Sequence, residues 1–357
     1  MGGDRSSTTS SRRRFLGTAA GATGVALGAA AFGTNRAAAA VVPEGAPQIQ
    51  AADKRSYVAS HFALDLDNTG QIGFLKDVEG GNITAQVVEI NLGNGNPPIK
   101  HISTLKFEDI TLQIDLAMPK PIYDWITASW NQNYQRKSGA IIAADFNYEK
   151  KARREFRDAL ISEVKIPALD ASSKEPGYMN VTLTTEETQT KVDSGKIQPA
   201  VNTKQKLWTT ASFRLEIDGV DCTRVNKIDS FTVKQKIVES QVGEQRIPTR
   251  EPGKLEFPNL VVTFNSASGP SWLSWFTSFV IQGKNGAGDE KSGRIVFLSS
   301  DLKSELAEIK LSGVGIYKLL DGVFDPVSEP SAMMRAELYV ERMQFRLPPG
   351  AEPPPSP

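Results

Sequence analysis

Residue types that commonly carry chemistry are scarce in this chain of 357 residues, which has one Cys and two His. A single Cys excludes a disulfide framework and a zinc site built from several thiolates. Ser60 and His61 adjoin at the start of an expected strand, where a structural role is commoner than that of nucleophile and base. Cys222 could be a reactive thiol, but a lone Cys is more often a small buried residue. No G-x-S-x-G, H-E-x-x-H, P-loop or G-x-G-x-x-G motif occurs, so we predict no catalytic residue and no enzyme.

One segment resembles a metal-binding loop. Asp65-Leu-Asp-Asn-Thr-Gly-Gln-Ile72 has acids at the first and third positions and Gly at the sixth, as in a calcium loop. The twelfth position should supply a bidentate carboxylate, but Lys76 stands there. The pattern therefore favours a tight turn rich in Asp and Asn, and we predict no metal and no cofactor.

Other candidate binding residues are not arranged by the sequence. Trp130, Tyr134 and Trp208 could supply stacking faces for a carbohydrate, but nothing in the sequence brings them together. The pair Glu186-Glu187 is typical of a solvated face or a subunit contact. The basic run 150–154 is interpreted as a charged loop surface. The 41 basic and 41 acidic residues balance, which disfavours nucleic-acid recognition.

The first forty residues are typical of a targeting segment. Arg12 and Arg13 precede Phe15-Leu16, a mildly apolar stretch follows, and Ala38-x-Ala40 offers a cleavage site. This order resembles a twin-arginine export signal. A basic tail or a membrane anchor is the alternative, although an anchor needs about 20 predominantly apolar residues. We predict that residues 1–40 are a signal peptide, that the mature chain has no membrane span, and that it is periplasmic or extracellular.

The sequence repeats itself at a spacing of 150 to 154 residues. The paired positions are Phe62 with Phe213, Glu89 with Glu239, Phe107 with Phe257, Trp125 with Trp275, Gly139 with Gly293, and Met179 with Met333. A spacing that holds over a hundred residues indicates two copies of one domain. We predict domains at 56–190 and 207–347, a linker at 191–206 and a disordered Pro-rich tail at 348–357.

Each copy has the apolar alternation of half-buried strands, as in Phe213, Leu215 and Ile217. The predicted strands of the first copy are 62–66, 83–90, 105–116, 140–147, 164–166 and 181–186. Those of the second copy are 213–218, 231–238, 255–264, 293–299, 311–319 and 335–346. The fold class is therefore mostly β (α+β), with two tandem β-sandwich or barrel domains and one helix in each.

The two helices carry apolar stripes. Pro270 begins the second helix, Gly283 ends it, and the stripe is Trp272, Trp275, Phe276 and Phe279. Pro121 begins the first helix, whose stripe is Ile122, Trp125 and Ile126. Such a stripe could bind a partner, but a core face packed on the domain's own sheet is the commoner case.

The order of motifs in the second copy resembles that of phage tail tube proteins. A strand ending in Gly219 is followed by Val238-Glu239, by Arg250-Glu-Pro-Gly253, by the strand 257–262 and by a Trp-x-x-Trp helix. The first copy has Gly73-Phe74 and Val78-Glu-Gly80, but Asn96-Pro97-Pro98 replaces the Arg-x-Pro-Gly turn.

The resemblance implies a structural subunit that self-assembles. In that family six copies of a β-sandwich or barrel with one helix form a ring, and rings stack into a tube. Three tandem chains would then supply six domains in a trimer with pseudo-six-fold symmetry, and the resemblance implies other tail-like components as further partners. The loops expected to reach a neighbour are 92–99 and 242–254.

Export separates this chain from phage tail components, which assemble in the cytoplasm. An assembled tube could not pass a translocon. The chain must therefore cross the membrane before it assembles, or it has a role outside the phage context. The alternative function is a secreted module that binds glycans or a protein partner on the same scaffold.

Overall fold

The computed structural model describes residues 60–91, 93, 97–116, 118–198, 208–240, 247–321 and 333–347. The predicted signal peptide, half of the predicted linker (199–206) and the Pro-rich tail lie outside these residues. The described chain is mostly β-strand, with helices α1 (Lys120–Trp130) and α2 (Gly269–Phe276). A 3₁₀ turn at Ser266–Ser268 precedes α2, and a π-helical turn at Thr277–Ile281 follows it. The predicted fold class, mostly β with one helix in each half, is confirmed.

The strands fall into two successive sets. The first repeat contains β1 (His61–Leu66), β2 (Gln71–Leu75), β3 (Asp77–Gly80), β4 (Ile83–Ile90), β5 (Ile99–Phe107), β6 (Ile110–Ile114), β7 (Lys137–Ala144), β8 (Lys150–Ile166), β9 (Leu169–Asp170), β10 (Met179–Thr184) and β11 (Glu187–Val192). The second repeat contains β12 (Phe213–Ile217), β13 (Val225–Ile228), β14 (Phe231–Ser240), β15 (Thr249–Glu256), β16 (Leu260–Asn265), β17 (Lys291–Leu298), β18 (Glu305–Asp321) and β19 (Met333–Arg346).

The main sheets of the two repeats have the same strand order. The first runs β2-β1-β7-β8-β10-β6-β3, and the second runs β12-β17-β18-β19-β16-β13, where the short strand β9 of the first repeat adds a further strand beside β13. The registers agree as well, since Val181 lies opposite Leu112 and Ala336 lies opposite Val262. The second repeat has no counterpart of β2 among its described strands, because a tight turn at Gly219 (φ +71°) leaves only a bridge from Ile217 to Val220.

A separate hairpin projects from each main sheet, formed by β4 and β5 in the first repeat and by β14 and β15 in the second. Both hairpins share their pairing and the position of a β-bulge. The matching pairs are Glu89–Lys100 with Glu239–Arg250, Val87–Ile102 with Ile237–Pro252, and Ala85–Leu105 with Gln235–Leu255. The hairpins are therefore the same element 150 residues apart.

The alternating patterns account for the core. In β6, Ile110, Leu112 and Ile114 face inward and are fully buried. Their counterparts Leu260, Val262 and Phe264 in β16 are fully buried as well. One hydrophobic core includes residues of both repeats. Its apolar area, removed from water, supplies the main driving force for folding.

Both helices bury the predicted stripes. Ile122, Trp125 and Ile126 of α1 are at most 1% exposed, and Trp125 Nε1 donates to the Gln135 carbonyl. In the second repeat the buried members are Trp272, Trp275 and Phe279, whereas Phe276 is half-buried. The apolar stripes are thus core faces.

Two expectations about loops were wrong. The basic run 150–154 lies in β8, because acidic neighbours accompany the strand: Lys151 Nζ lies 3.1 Å from an Asp145 carboxylate oxygen and Arg153 Nη2 lies 3.4 Å from one of Asp65. The predicted loop 242–254 ends early, because Thr249 already begins β15.

Three predicted boundaries also shift. The single strands expected at 105–116 and 255–264 are each two strands, because the chain leaves the hairpin and enters the main sheet between β5 and β6, and between β15 and β16. Met179 corresponds to Met334 rather than Met333, since Met179 lies opposite Ile114 and Met334 opposite Phe264. Finally, β11 extends to Val192, into the segment predicted as linker.

Candidate assembly interface

The two repeats are joined by strand pairing. The start of β14 pairs with the end of β8, so that Val233 lies opposite Val164 and Phe231 opposite Ile166. These four side chains are at most 5% exposed. At the edge of the same joint, Lys234 Nζ lies 3.2 Å from a Glu163 carboxylate oxygen. The hairpin of the second repeat thus extends the sheet of the first and covers an edge that would otherwise be open.

Arg250 fastens this hairpin to the first repeat. Arg250 is only 5% exposed. Its guanidinium donates to the carbonyls of Thr185 (2.5 Å) and Phe107 (3.2 Å). It also donates to Glu239 on the paired strand of its own hairpin at 3.0 Å. A planar guanidinium can satisfy several acceptors at once in a fixed geometry. The Arg of the Arg-x-Pro-Gly motif is therefore a contact between the two repeats and lies within a strand.

A second Arg, Arg136 of the first repeat, also contacts the same hairpin. Arg136 Nη2 donates to the Arg250 carbonyl (2.6 Å) and to Glu251 (2.9 Å), while Arg136 Nη1 donates to Glu186. Glu186 also accepts from the Arg250 backbone N–H at 3.1 Å. Glu186 therefore contacts the second repeat of its own chain, a role that differs from the solvated face and the subunit contact considered for it.

Helix α1 completes the joint with aromatic packing. Phe345 of β19 stacks on Tyr123, with ring centroids 5.5 Å apart, and meets Trp130 edge to face at 6.0 Å. Thr127 Oγ1 donates to the Phe345 carbonyl at 3.1 Å. Tyr123 and Trp130 are at most 3% exposed. The outer face of α1 therefore packs on the second repeat, while its inner face belongs to the core.

The hairpin of the first repeat has no further strand paired with it within the described chain. β4 and β5 form a two-stranded sheet of their own. The apolar side chains on this hairpin that are at least 40% exposed are Ile83, Val87, Val88, Ile90, Ile99 and Ile102. Within the described residues, these side chains lie on strands that pair only with each other.

Two of the residues considered for chemistry, His61 and Cys222, are partly buried. His61 stacks on Tyr148 at 4.3 Å, and its Nδ1 lies 3.1 Å from the Asp145 carbonyl oxygen. Burial raises the pKa of the Cys222 thiol to about 12, which leaves it protonated and weakly nucleophilic at neutral pH.

The calcium-like segment forms a hairpin turn. Asp65 Oδ1 accepts from the Gly70 backbone N–H at 3.1 Å, and Asp67 is paired with Lys137. Asp67 and Asn68 both have positive φ, as a tight turn between β1 and β2 requires. In the described ranges no group of three or more His, Cys, Asp or Glu could hold a metal ion.

Two of the three proposed stacking residues lie inside the protein. Trp130 and Trp208 are each 3% exposed, and Trp208 meets Phe297 edge to face at 5.2 Å. Tyr134 is half-buried. Neither Trp can offer its face to a sugar. No helix within the part of the chain that the structure describes is long and apolar enough to span a membrane.

The described chain thus contains two successive main sheets of matching strand order, joined by strand pairing. Residues 58–189, nearly the whole first repeat, match the family of the T4-like virus tail tube protein gp19. The first repeat is therefore similar to tail tube proteins, as the order of motifs implied. A comparison with curated proteins found no match.

Solved structures with similar chains include tube-containing assemblies. A chain of the PVC sheath–tube complex of an extracellular contractile injection system is 19% identical over 39% of this chain and 94% of that chain, with a TM-score of 0.35. A chain of the anti-feeding prophage cap is 20% identical over 41% and 99%, with a TM-score of 0.34. Hcp1 from Flavobacterium johnsoniae is 15% identical over 37% and 93%, with a TM-score of 0.23.

Proposed function

We propose that this chain is a non-enzymatic structural subunit that self-assembles into rings or tubes outside the cytoplasm. The observation that carries the proposal is the difference between the two hairpins. One hairpin is buried in a joint between domains, and its counterpart in the first repeat has exposed apolar side chains. A tube subunit has such open edges until neighbouring subunits cover them.

The tandem arrangement favours a closed trimer. A head-to-tail contact between chains closes into a ring when the rotation per domain divides the circle. Three chains would give six domains with pseudo-six-fold symmetry, which supports the proposed tail-tube arrangement. Such interfaces should each bury more than about 1,000 Å² to be stable.

Sedimentation of the purified mature protein tests this proposal. We expect a species of three chains, or stacked multiples of it, at micromolar concentration. A species of one or two chains over the whole concentration range would reject self-assembly. That result would leave the alternative, a secreted module that binds a glycan or a protein partner.

The binding-module alternative has one supporting feature, the exposed apolar hairpin, which could receive a foreign protein. Glycan binding is disfavoured, because Trp130 and Trp208, the two Trp residues proposed to stack on a sugar, are buried. A protein partner is thus the form of the alternative that the sedimentation experiment has to exclude.

Export by the twin-arginine route is part of the proposal, supported by Arg12 and Arg13 ahead of Phe15-Leu16. Replacing both arginines with lysine should leave the precursor in the cytoplasm of an expressing bacterium. Fractionation and immunoblotting measure this, with a Lys substitution of Arg5 as the matched control. Unchanged secretion of the double variant would show that export does not depend on the twin-arginine pair.

A further inference from the structure

The joint between the two repeats provides a template for a contact between chains, because every element of it occurs twice. On one side of the joint are the edge of β8 and the helix α1. On the other side are the β14–β15 hairpin and the end of β19. Within one chain this arrangement occurs once, between the first repeat and the second.

The counterpart of the β8 edge is the end of β18. Pairing with the neighbouring strands makes residues 318–321 of β18 equivalent to residues 163–166 of β8, since Lys165 lies opposite Asn180 and Leu320 lies opposite Arg335. β17 pairs with β18 only as far as Val314, and no other described strand pairs with this side of 318–321. Leu319 is half-buried there, whereas its counterpart Val164 is 1% exposed, and Tyr317 is 41% exposed. The second repeat therefore has an open edge where the first repeat has a filled one.

The counterpart of the start of β14 is the start of β4. The shared hairpin register makes Ile83 equivalent to Val233. Val233 is 2% exposed in the joint, whereas Ile83 is 51% exposed. An edge strand with exposed apolar residues is a template for pairing with another chain.

The helices show the same contrast. The shared position of Trp125 and Trp275 makes Leu273 and Val280 the equivalents of Tyr123 and Trp130. Leu273 is 52% exposed and Val280 is 40% exposed, whereas both aromatic counterparts are buried against β19. The outer face of α2 is thus exposed, whereas the equivalent face of α1 is covered by β19.

We propose that the β4–β5 hairpin of one chain docks on the open edge of β18 and beside α2 of a second copy of this chain, in the register that β14 adopts on β8. Ile83 of one chain then lies opposite Leu319 of the next, and Thr84 lies opposite Lys318. The end of β11 takes the place beside α2 that the end of β19 takes beside α1. The inference rests on the proposed self-assembly and specifies the contact that produces it.

Charge complementarity supports this occupant. The positions equivalent to Arg250 and Glu251 on the docking hairpin are Lys100 and His101. The positions equivalent to Arg136 and Glu186 on the receiving side are Glu290 and Glu341. The Lys100 ammonium of one chain therefore lies near two carboxylates of the next chain, those of Glu290 and Glu341. Complementary potentials of this kind favour the correct partner and orientation.

Disulfide trapping in the full mature chain tests the register. In a Cys222→Ala background, Thr84→Cys with Lys318→Cys should cross-link neighbouring chains on mild oxidation, because directly paired residues of adjacent strands lie within disulfide reach. The products on a non-reducing gel should be dimers and trimers, and the largest covalent species should be the trimer of a closed ring.

Two matched pairs control this experiment. Glu163→Cys with Lys234→Cys is the positive control. It occupies the equivalent positions of the internal joint and should form a disulfide within one chain.

Thr84→Cys with Lys303→Cys is the negative control. Lys303 is an exposed loop residue of the second repeat outside the proposed contact, so this pair should give no ladder of cross-linked dimers and trimers. An internal disulfide without a Thr84–Lys318 ladder, in a preparation that sediments as rings, would overturn the proposed register and leave self-assembly standing. A preparation that sediments only as monomer would contradict both.

A non-covalent variant gives an independent readout. Ile83→Arg should weaken assembly by about tenfold or more, because it places a charge in an apolar contact that excludes water. The melting temperature of the isolated chain should hardly change, since Ile83 is half exposed there. Phe146→Arg, at an apolar residue 79% exposed and outside both surfaces, is the control and should assemble normally. Equal assembly of the two variants would contradict the proposal.

Discussion

Replacing Arg250 with methionine should lower the free energy of unfolding by about 2–4 kcal/mol, because each buried acceptor left without a donor costs about 1–3 kcal/mol. Arg250 donates to two carbonyls of the first repeat, those of Thr185 and Phe107. Methionine keeps much of the length of the side chain and supplies neither hydrogen bond. Urea unfolding of chains diluted below the assembly threshold measures the effect.

Lys100→Met is the matched control for this prediction. Lys100 stands at the equivalent position of the first hairpin, and its Nζ lies 2.7 Å from a Glu89 carboxylate oxygen. Its side chain is 62% exposed, and a surface ion pair of that kind contributes about 0–1 kcal/mol. Equal losses for the two variants would show that Arg250 does not fasten the repeats together.

Replacing Trp275 with alanine should cost about 3–5 kcal/mol, the usual range for deletion of a large aromatic side chain from a core. Trp275 is 6% exposed and packs between Trp272, at 6.1 Å, and Phe279, at 6.3 Å. Thermal or urea unfolding measures the loss. Trp275→Phe should cost much less, because the indole N–H is buried and has no hydrogen-bond partner within the described residues.

Leu273→Ala provides the comparison on the same helix. Leu273 is 52% exposed, so its truncation in the isolated chain should change stability by about 0.5 kcal/mol or less. A Trp275→Ala variant as stable as Leu273→Ala would contradict the core role of the helix stripe.

Much of this fold could be predicted because its signals are local and occur twice. Alternation in 213–217 and the helix stripe at Trp272 and Trp275 follow from burial on one face, and the structure places both as expected. The strand of the basic run 150–154 was missed because its charges are neutralised by residues distant in sequence, such as Asp65. Local sequence carries no signal for such pairing.

The joint between the repeats could not be predicted for the same reason. The Arg-x-Pro-Gly motif at 250–253 has the composition of a turn, but the buried hydrogen bonds of Arg250 hold it in a strand. The two repeats did offer one comparison. Arg250 aligns with Lys100 and Val233 with Ile83. The two residues of the second hairpin are buried in the joint, whereas their counterparts in the first hairpin are exposed.

Electron microscopy of the purified mature protein tests whether two matched domains in one chain build a ring. We expect ring-shaped particles with six similar lobes, formed by three chains, alone or stacked into tubes. A uniform population of monomers at micromolar concentration, without rings or filaments, would contradict the claim.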